Sequence, residues 1–335
     1  MLGGSSVEIG VDVGCDRMVL GEVSWRRGGP LRCGRWAERT GAQTDANTSD
    51  MCTQQIEWVK STLASWRCNP KALSLAIADT WVDCERISLL GWLSGEDLAH
   101  ALRDDVAQRH GLSSQDVVLD YCAATPMLIQ QVRDAGGAAG DESLCEWVVC
   151  WMAQAPWQAF IQPWMASGLP LQRVEPQSFA LIRALGSMHQ LKGEPHAVAP
   201  VASLWVDLQP HGVLALWLER GNGPHRYWWS APSQRPPPVC ADPLAVGGEP
   251  MPKPSSAESD PVEALLRWVH ARAAASEHST VTWCVRGEGD TAQALRSAVP
   301  LALEALRWSP PPQALGTEAW PVAAAAWGVA WSRDA

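Results

Sequence analysis

Two stretches of this chain share one pattern, a strand that ends near an aspartate, a turn, and a second strand. One reads "VEIGVDVGCDRMVLGEVSW" around Asp12, and the other reads "LWVDLQPHGVLALWLER" around Asp207. Two strands joined by so tight a turn must be antiparallel, so the opening is not that of a simple dinucleotide-binding βαβ unit. The repeat predicts an internal duplication, and therefore two related α/β lobes.

The composition allows a sizeable core and excludes several classes of function. A chain of 335 residues buries roughly three quarters of its unfolded surface. The formal charge of −10 makes nucleic acid an unfavourable partner. The ten cysteines contain no CxxC pair, which argues against structural zinc and a disulfide framework. Because we find no leader and no apolar run of bilayer length, we expect a cytoplasmic protein with reduced thiols and no direct membrane span.

Strand and helix patterns divide the chain into three parts. We expect a first-lobe subdomain over 1–86, completed by 170–197 and 318–335, an inserted α/β subdomain over 87–167, and a second lobe over 198–317. In the second lobe, a proline-rich loop at 231–260 and a helix at 261–278 form a reduced helical subdomain. The inserted part is predicted to hold a helix capped by Ser94 and strands at Val117 to Ala123, Met127 to Arg133 and Glu146 to Met152.

This order of elements resembles the actin-like ATPase fold and, within it, the PilM family of type IV pilus assembly proteins. Besides the two repeated stretches, the resemblance is carried by "LSLAIADTWVDCERISL", by "VVCWMAQAPWQAFIQPWMASGLPLQRVEPQSFALIRAL", by "VRGEGDTAQAL" at the adenosine loop, and by "EAWPVAAAAWGVAW" at the closing helix. The long middle match, with its spacing to the others, is the most specific.

The resemblance implies a two-lobed, ribonuclease H-like α/β fold with an inserted subdomain like that of the cell-division protein FtsA. It also implies a cytoplasmic adaptor, peripheral to the inner membrane, that captures the N-terminal tail of a PilN-type membrane protein in a groove between the first and inserted subdomains. Other pilus assembly proteins, twitching motility and competence are further implied associations.

The nucleotide site that the resemblance implies is incomplete in this chain. Its remnants are Asp12, Gly14, Cys15, Asp207, Gly287 and Gly289. In the first loop, Cys15 stands in place of the usual Ser or Thr, the anionic Asp16 follows it, and Val19 stands in place of the lysine. In the second loop, Gln209 and Pro210 stand where the glycine is expected, and proline removes a backbone donor. We expect no bound cofactor and no turnover, with ATP and Mg²⁺ kept as the alternative.

Other catalytic chemistries find less support. "RGEGDTAQA" fits G-x-G-x-x-A, but too little chain follows it to complete a dinucleotide-binding half. The histidines show no metal-ligand spacing, no G-x-S-x-G motif occurs, and Asp16 beside Cys15 would raise rather than lower the pKa of that thiol. The sequence therefore offers no catalytic residue and no metal ligand.

Tryptophan is unusually frequent, with 20 residues against two Tyr and two Phe. Most must be core or interface, because so many exposed indoles would make the surface adhesive. Peptide grooves nevertheless favour aromatic anchors, so Trp81 and Trp164, with Arg86 as a polar contact, are candidates for the partner groove.

Three functions remain open. The first is a non-catalytic PilM-type adaptor, and the second is an active Mg-ATP-binding actin-like ATPase. The third is the cytoplasmic part of a type II secretion L-type protein, which shares the fold. Such proteins usually continue into a transmembrane helix, whereas this sequence stops at Ala335, so we expect the third least.

Overall fold

A computed structural model provides the structure of the protein. It describes residues 6–14, 17–25, 32–40, 48–91, 93–123, 144–181, 184, 201–209, 212–219, 222–230, 261–276, 280–286, 289–303, 307–308 and 326. The predicted strand at Met127 to Arg133, the proline-rich loop and most of the closing helix lie outside these residues.

The described chain forms thirteen strands, five α-helices and two short 3₁₀ helices. The strands are β1 (Ser6–Val13), β2 (Arg17–Trp25), β3 (Arg32–Thr40), β4 (Ala72–Ile77), β5 (Asp83–Leu90), β6 (Val117–Ala123), β7 (Leu144–Ala153), β8 (Leu171–Pro176), β9 (Val201–Gln209), β10 (Gly212–Glu219), β11 (Asn222–Ser230), β12 (Thr280–Arg286) and β13 (Arg307–Trp308). The helices are α1 (Thr48–Ser65), α2 (Gly95–His110), α3 (Gln154–Ala166), α4 (Pro261–Ala275) and α5 (Gly289–Ala302), with 3₁₀ turns η1 (Asp79–Trp81) and η2 (Ser114–Asp116).

Two five-stranded sheets have the same topology. The first has the order β3-β2-β1-β4-β8 and the second the order β11-β10-β9-β12-β13. In each, three antiparallel strands are followed by strands parallel to the central one, β4 beside β1 and β12 beside β9. Asp12 and Asp207 each occupy the seventh position of the central strand. The sheets therefore carry the repeat that the two sequence stretches predict.

A third sheet, with the order β5-β7-β6, lies between the strands of the first sheet along the chain. One face of it packs on α2 through Ile87, Leu102 and Val149. The other face joins the first lobe's core through Cys84 and Cys150. This sheet starts at Asp83, a few residues before the predicted limit at 87, because strand pairing with β7 begins there. At its other end α3, predicted to be part of the insertion, packs on α1 in the first lobe.

Local sequence explains most element boundaries. All six residues of β4, "ALSLAI", are buried, as a central strand covered on both faces requires. In α2, Leu98, Leu102 and Val106 recur every four residues and are buried, as on one apolar face of an amphipathic helix. Ser94 occupies the N-cap position, but its side chain makes no capping hydrogen bond. Gly111 ends α2 with φ of 66°, a left-handed conformation that favours glycine.

Most of the tryptophans in the described sheets and helices lie in the core or pack against it, as the composition predicts. Trp164, Trp205 and Trp217 are fully buried, while Trp36 on the edge strand β3 is 38 % exposed. None of the helices in the described part of the chain combines the length and the hydropathy needed to cross a bilayer.

Candidate functional site

The two repeated aspartates lie in the same buried ionic cluster between the lobes. Asp12 and Asp207 are each 1 % exposed. Asp12 is the penultimate residue of β1 and Asp207 is the third from last in β9, so each carboxylate lies near the carboxyl end of its sheet's central strand. In open α/β sheets this end of the strands is where ligands bind.

Each aspartate receives an arginine from the other lobe. Arg286, the last residue of β12 in the second lobe, donates from Nη2 to Asp12 Oδ2 at 2.9 Å. Arg17, the first residue of β2 in the first lobe, donates from Nη2 to Asp207 Oδ1 at 3.4 Å. The ion pairs are therefore exchanged reciprocally, and we call these four side chains the interlobe clasp.

Arg286 links both carboxylates. Its Nε lies 3.7 Å from Asp207 Oδ1, in addition to its bond to Asp12. The strand register explains this, because Arg286 pairs directly with Asp207 in the parallel β9–β12 ladder. At the equivalent position of the first sheet, Asp12 pairs with Ala76. The duplication is thus broken at this position, where one lobe has a small side chain and the other a buried cation.

Neighbouring side chains complete the cluster. Gln177, the first residue of a helical segment at 177–181, donates from Nε2 to Asp12 Oδ1 at 2.9 Å. Glu38 Oε1 lies 3.7 Å from Arg17 Nε. Nearby, Asp79 of η1 accepts hydrogen bonds from the backbone N–H and the hydroxyl of Ser178, which fixes the start of the same helical segment.

For both Asp12 and Arg286, burial shifts the pKa in one direction and the neighbouring opposite charges shift it in the other. Burial raises the pKa of Asp12, and the Arg286 and Arg17 guanidinium groups only partly offset this, since Asp207 raises it further. For Arg286, burial lowers the pKa, but the Asp207 and Asp12 carboxylates outweigh burial and raise it overall. Arg286 is therefore a permanent cation, 3 % exposed, in contact with two acids.

The predicted loop residues are distributed around this cluster. Gly14 lies in the β1–β2 turn, where its N–H donates to Arg17 O at 2.9 Å and a Cβ atom would approach that oxygen to 3.0 Å. Gly289 is the first residue of α5. Cys15 and Gly287 lie outside the described residues. The described residues contain no group of three or more His, Cys, Asp or Glu side chains arranged to hold a metal ion.

The three groove candidates lie near the junction of the first and third sheets. Trp81, half-buried in η1, packs edge-on against Phe160 of α3 with ring centroids 5.5 Å apart. Arg86 on β5 pairs with Glu146 on β7 at 3.1 Å between Nη1 and Oε2. Trp164 is fully buried in the first lobe's core, so its ring lies beneath the surface in this conformation.

Sequence reasoning missed both arginines of the clasp. Arg17 follows the first loop, but its partner Asp207 is 190 residues away in the chain. Arg286 ends β12, and its partner Asp12 is 274 residues away. One signal was available: Arg286 ends the apolar strand "TVTWCVR", where a charged side chain must be paired if it is buried.

No protein-family model and no curated protein sequence matches the chain. Among solved structures, a chain of the PilM–PilN type IV pilus biogenesis complex is similar, with a TM-score of 0.63, 15 % identity and coverage of 97 % of each chain.

Two further structures are similar at lower scores. A Bacteroides thetaiotaomicron protein with an actin-like ATPase fold has a TM-score of 0.45, 7 % identity, and coverage of 93 % of this chain and 95 % of its own. The cytoplasmic domain of EpsL from the type II secretion system of Vibrio cholerae has a TM-score of 0.39, 9 % identity, and coverage of 89 % and 95 %. From the paired sheets and the first of these likenesses, the chain has the two-lobed actin-like fold.

Proposed function

We propose that this protein is an actin-like adaptor of type IV pilus assembly that binds the N-terminal cytoplasmic tail of a PilN-type inner-membrane protein without hydrolysing ATP. It lies in the cytoplasm and reaches the inner membrane through that partner. The choice of partner is supported by the likeness, over 97 % of both chains, to a chain of the PilM–PilN complex.

The observation that carries the non-catalytic part of the proposal is the interlobe clasp. A phosphate site requires free backbone donors, and its acidic residues must be available for water or Mg²⁺. Here Arg286 and Arg17 already compensate the two carboxylates, and the Gly14 N–H closes its own turn. A metal ion brought by a nucleotide would face the buried Arg286 guanidinium and the half-buried Arg17 guanidinium, so the residues present do not fit Mg-ATP.

The position of Trp81 supports a peptide groove at the junction of the first and third sheets. The turn η1 connects β4 of the first sheet to β5 of the third sheet. Trp81 is half-buried there and contacts Phe160 in an edge-on arrangement, so the indole is held in place and part of it is exposed. Arg86 and Glu146, on adjacent strands of the third sheet, add a polar pair next to this junction. Aromatic anchors with neighbouring polar groups are typical of peptide-binding grooves.

The proposal is tested by titration calorimetry with the N-terminal peptide of the PilN-type protein from the same organism. We expect micromolar binding that is unchanged by MgATP. Replacing Trp81 by Ala should weaken binding at least about tenfold, the effect of a typical aromatic anchor. The matched control is Trp36→Ala, which removes an exposed indole from the far edge of the first sheet.

Two results would contradict the proposal separately. Absence of peptide binding by a folded protein would reject the adaptor role. A rise in melting temperature with saturating MgATP would reject the inactive nucleotide site, because a ligand that binds only the native state must stabilise it.

A further inference from the structure

Two buried thiols face each other across the third sheet. Cys84 on β5 and Cys150 on β7 are direct partners in the antiparallel ladder. Their Sγ atoms are 3.0 Å apart, and the side chains are 4 % and 9 % exposed. A disulfide needs about 2.0 Å between the sulfur atoms and directly opposed Cβ atoms. The reduced pair is therefore already close to bonding geometry.

The pair is located where the chain enters and leaves the inserted sheet. Cys84 is the second residue of β5, the first strand after η1, and Cys150 is close to the end of β7, just before α3. Both thiols belong to the core cluster that the third sheet shares with the first lobe, together with Phe160 and Trp164. A bond between them would close residues 84–150 into a covalent ring at the base of the insertion.

We propose that Cys84 and Cys150 are a reversible disulfide site, formed by hydroperoxides and reopened by thiol reductants. One sulfur attacks hydrogen peroxide, becomes a sulfenic acid and releases water. The second sulfur then attacks the sulfenic sulfur, which forms the S–S bond and releases a second water. Two electrons pass from the thiols to the peroxide, and both thiol protons leave in the water. A dithiol restores the reduced pair by thiol–disulfide exchange.

Geometry selects this pair from among the other described cysteines. Cys145, also buried on β7, lies opposite Leu89 in the ladder. Cys52 directs its sulfur at Phe160 O, 3.8 Å away. Cys122 on β6 is exposed, but it lies opposite Val148. Because both thiols are buried, a small oxidant such as hydrogen peroxide can reach them more readily than a bulky disulfide can.

Ring closure would stabilise the insertion against local unfolding. A cross-link reduces the entropy of the open state, and the reduction grows with the length of the closed loop. The bond would also fix β5 and β7 relative to each other next to Trp81 and Arg86. Any effect on peptide affinity rests on the proposed function, whereas the disulfide itself does not.

The test uses the full chain, treated with hydrogen peroxide, alkylated, and digested without reductant. We expect a peptide pair linked through Cys84 and Cys150, and an intact mass lower by two hydrogen atoms. Hydrogen exchange of amides between residues 84 and 150 should slow by roughly tenfold or more, and dithiothreitol should reverse both changes. Cys84→Ser should abolish the link, and Cys122→Ser is the control that retains it.

The results that overturn the inference need no folded variant. In the first such result, the wild-type protein gains oxygen atoms, for instance as sulfinic acid on Cys122, and no disulfide joins the two peptides. In the second, the disulfide forms but hydrogen exchange between residues 84 and 150 is unchanged. Peptide titration of the oxidised and reduced forms is run in parallel. If the peptide binds neither form, the proposed function fails while the disulfide, measured by mass, still stands.

Discussion

At the scale of single residues, the most informative feature is the exchange of partners between Asp12, Asp207, Arg17 and Arg286. Each lobe supplies one carboxylate to the cleft and neutralises the carboxylate of the other. Removing one partner of such a buried pair leaves a charge without compensation, which costs far more than the pair itself contributes. Arg286 contributes more of the compensating charge than Arg17 does, because it contacts both Asp12 and Asp207.

We expect Arg286→Met to lower the free energy of unfolding by about 3 to 5 kcal/mol, since it leaves Asp12 buried without its cation. Adding Asp12→Asn should recover at least about 1 kcal/mol, because the unpaired charge is then gone. Urea denaturation measures both values. The control is Arg267→Ala on an exposed position of α4, which should change stability by less than about 0.5 kcal/mol. If the loss in the double variant equalled the sum of the losses in Arg286→Met and in Asp12→Asn alone, the two side chains would not be coupled.

The sequence predicted the carboxylates of this site but not its cations. The repeated strand pattern located Asp12 and Asp207, because both are fixed by local periodicity and by the turn that follows. Arg17 and Arg286 acquire their role only when strands from two lobes meet, and no local pattern encodes that meeting. The same limit applies to Trp164, whose complete burial depends on packing between α3 and the first sheet.

Thiol reactivity gives a second prediction at this scale. Burial raises the pKa of Cys33 and of Cys284 to about 12 and that of Cys52 to about 11. At pH 8 these thiols are protonated in the native state, so iodoacetamide should alkylate them at least about tenfold more slowly than in urea. Peptide mass spectrometry after timed labelling measures the rates. Rapid labelling of Cys284 in the native protein would mean that the clasp region opens readily.

Linkage adds a pH dependence with a definite sign. In the unfolded chain the pKa of these thiols is near 9.0, the ordinary value of a cysteine, and in the folded protein it is higher. Between these values the unfolded chain loses protons that the native protein keeps. Their contribution to stability is therefore complete below pH 9 and is lost as the pH rises to about 11 for Cys52 and to about 12 for Cys33 and Cys284. Unfolding free energies measured across this range should fall, and replacing Cys52 by Ala should make the fall shallower.

At the scale of elements, regular patterns predicted most boundaries well. The limits of β6 agree with the predicted strand, and α2 begins after Ser94 as expected. The insertion was less predictable, because α3 is an ordinary amphipathic helix by sequence and only its packing on α1 assigns it to the first lobe. Pairing between distant strands also decided that β5 starts at Asp83 rather than after the predicted limit.

The end of α2 provides a test at this scale. Gly111 has φ of 66°, and a Cβ atom built on it would meet nothing within 4 Å. The cost of Gly111→Ala is therefore purely conformational, and we expect a loss of about 1 kcal/mol in unfolding free energy. Gly111→Asn should lose less, because asparagine tolerates the left-handed region. If both variants were equally destabilised, the helix would end in a different conformation in solution.

At the scale of the whole molecule, the clasp connects two sheets that otherwise have separate cores. The first lobe's core cluster and the second lobe's core cluster share no residue. Interfaces between lobes usually allow relative motion unless they are large and apolar. In this chain, ion pairs between Arg286 and Asp12 and between Arg17 and Asp207 join the two lobes.

Calorimetry can measure this coupling. We expect the native protein to unfold in one transition, whereas Arg17→Met with Arg286→Met should unfold in two, separated by several degrees, as each core melts alone. A single transition at a lower temperature in the double variant would show that contacts other than the clasp couple the lobes.

The adjacent ends of the inserted sheet have a wider consequence. Asp83, where β5 begins, pairs with Trp151 near the end of β7, so the chain departs from the first lobe and returns to it at neighbouring points. A segment with such ends is exchangeable in evolution and by protein engineering, since a short linker can bridge the gap without disturbing the host fold. The third sheet is thus an insertion that can vary while the two lobes stay the same, provided that its contact with the first lobe's core through Cys84 and Cys150 is kept.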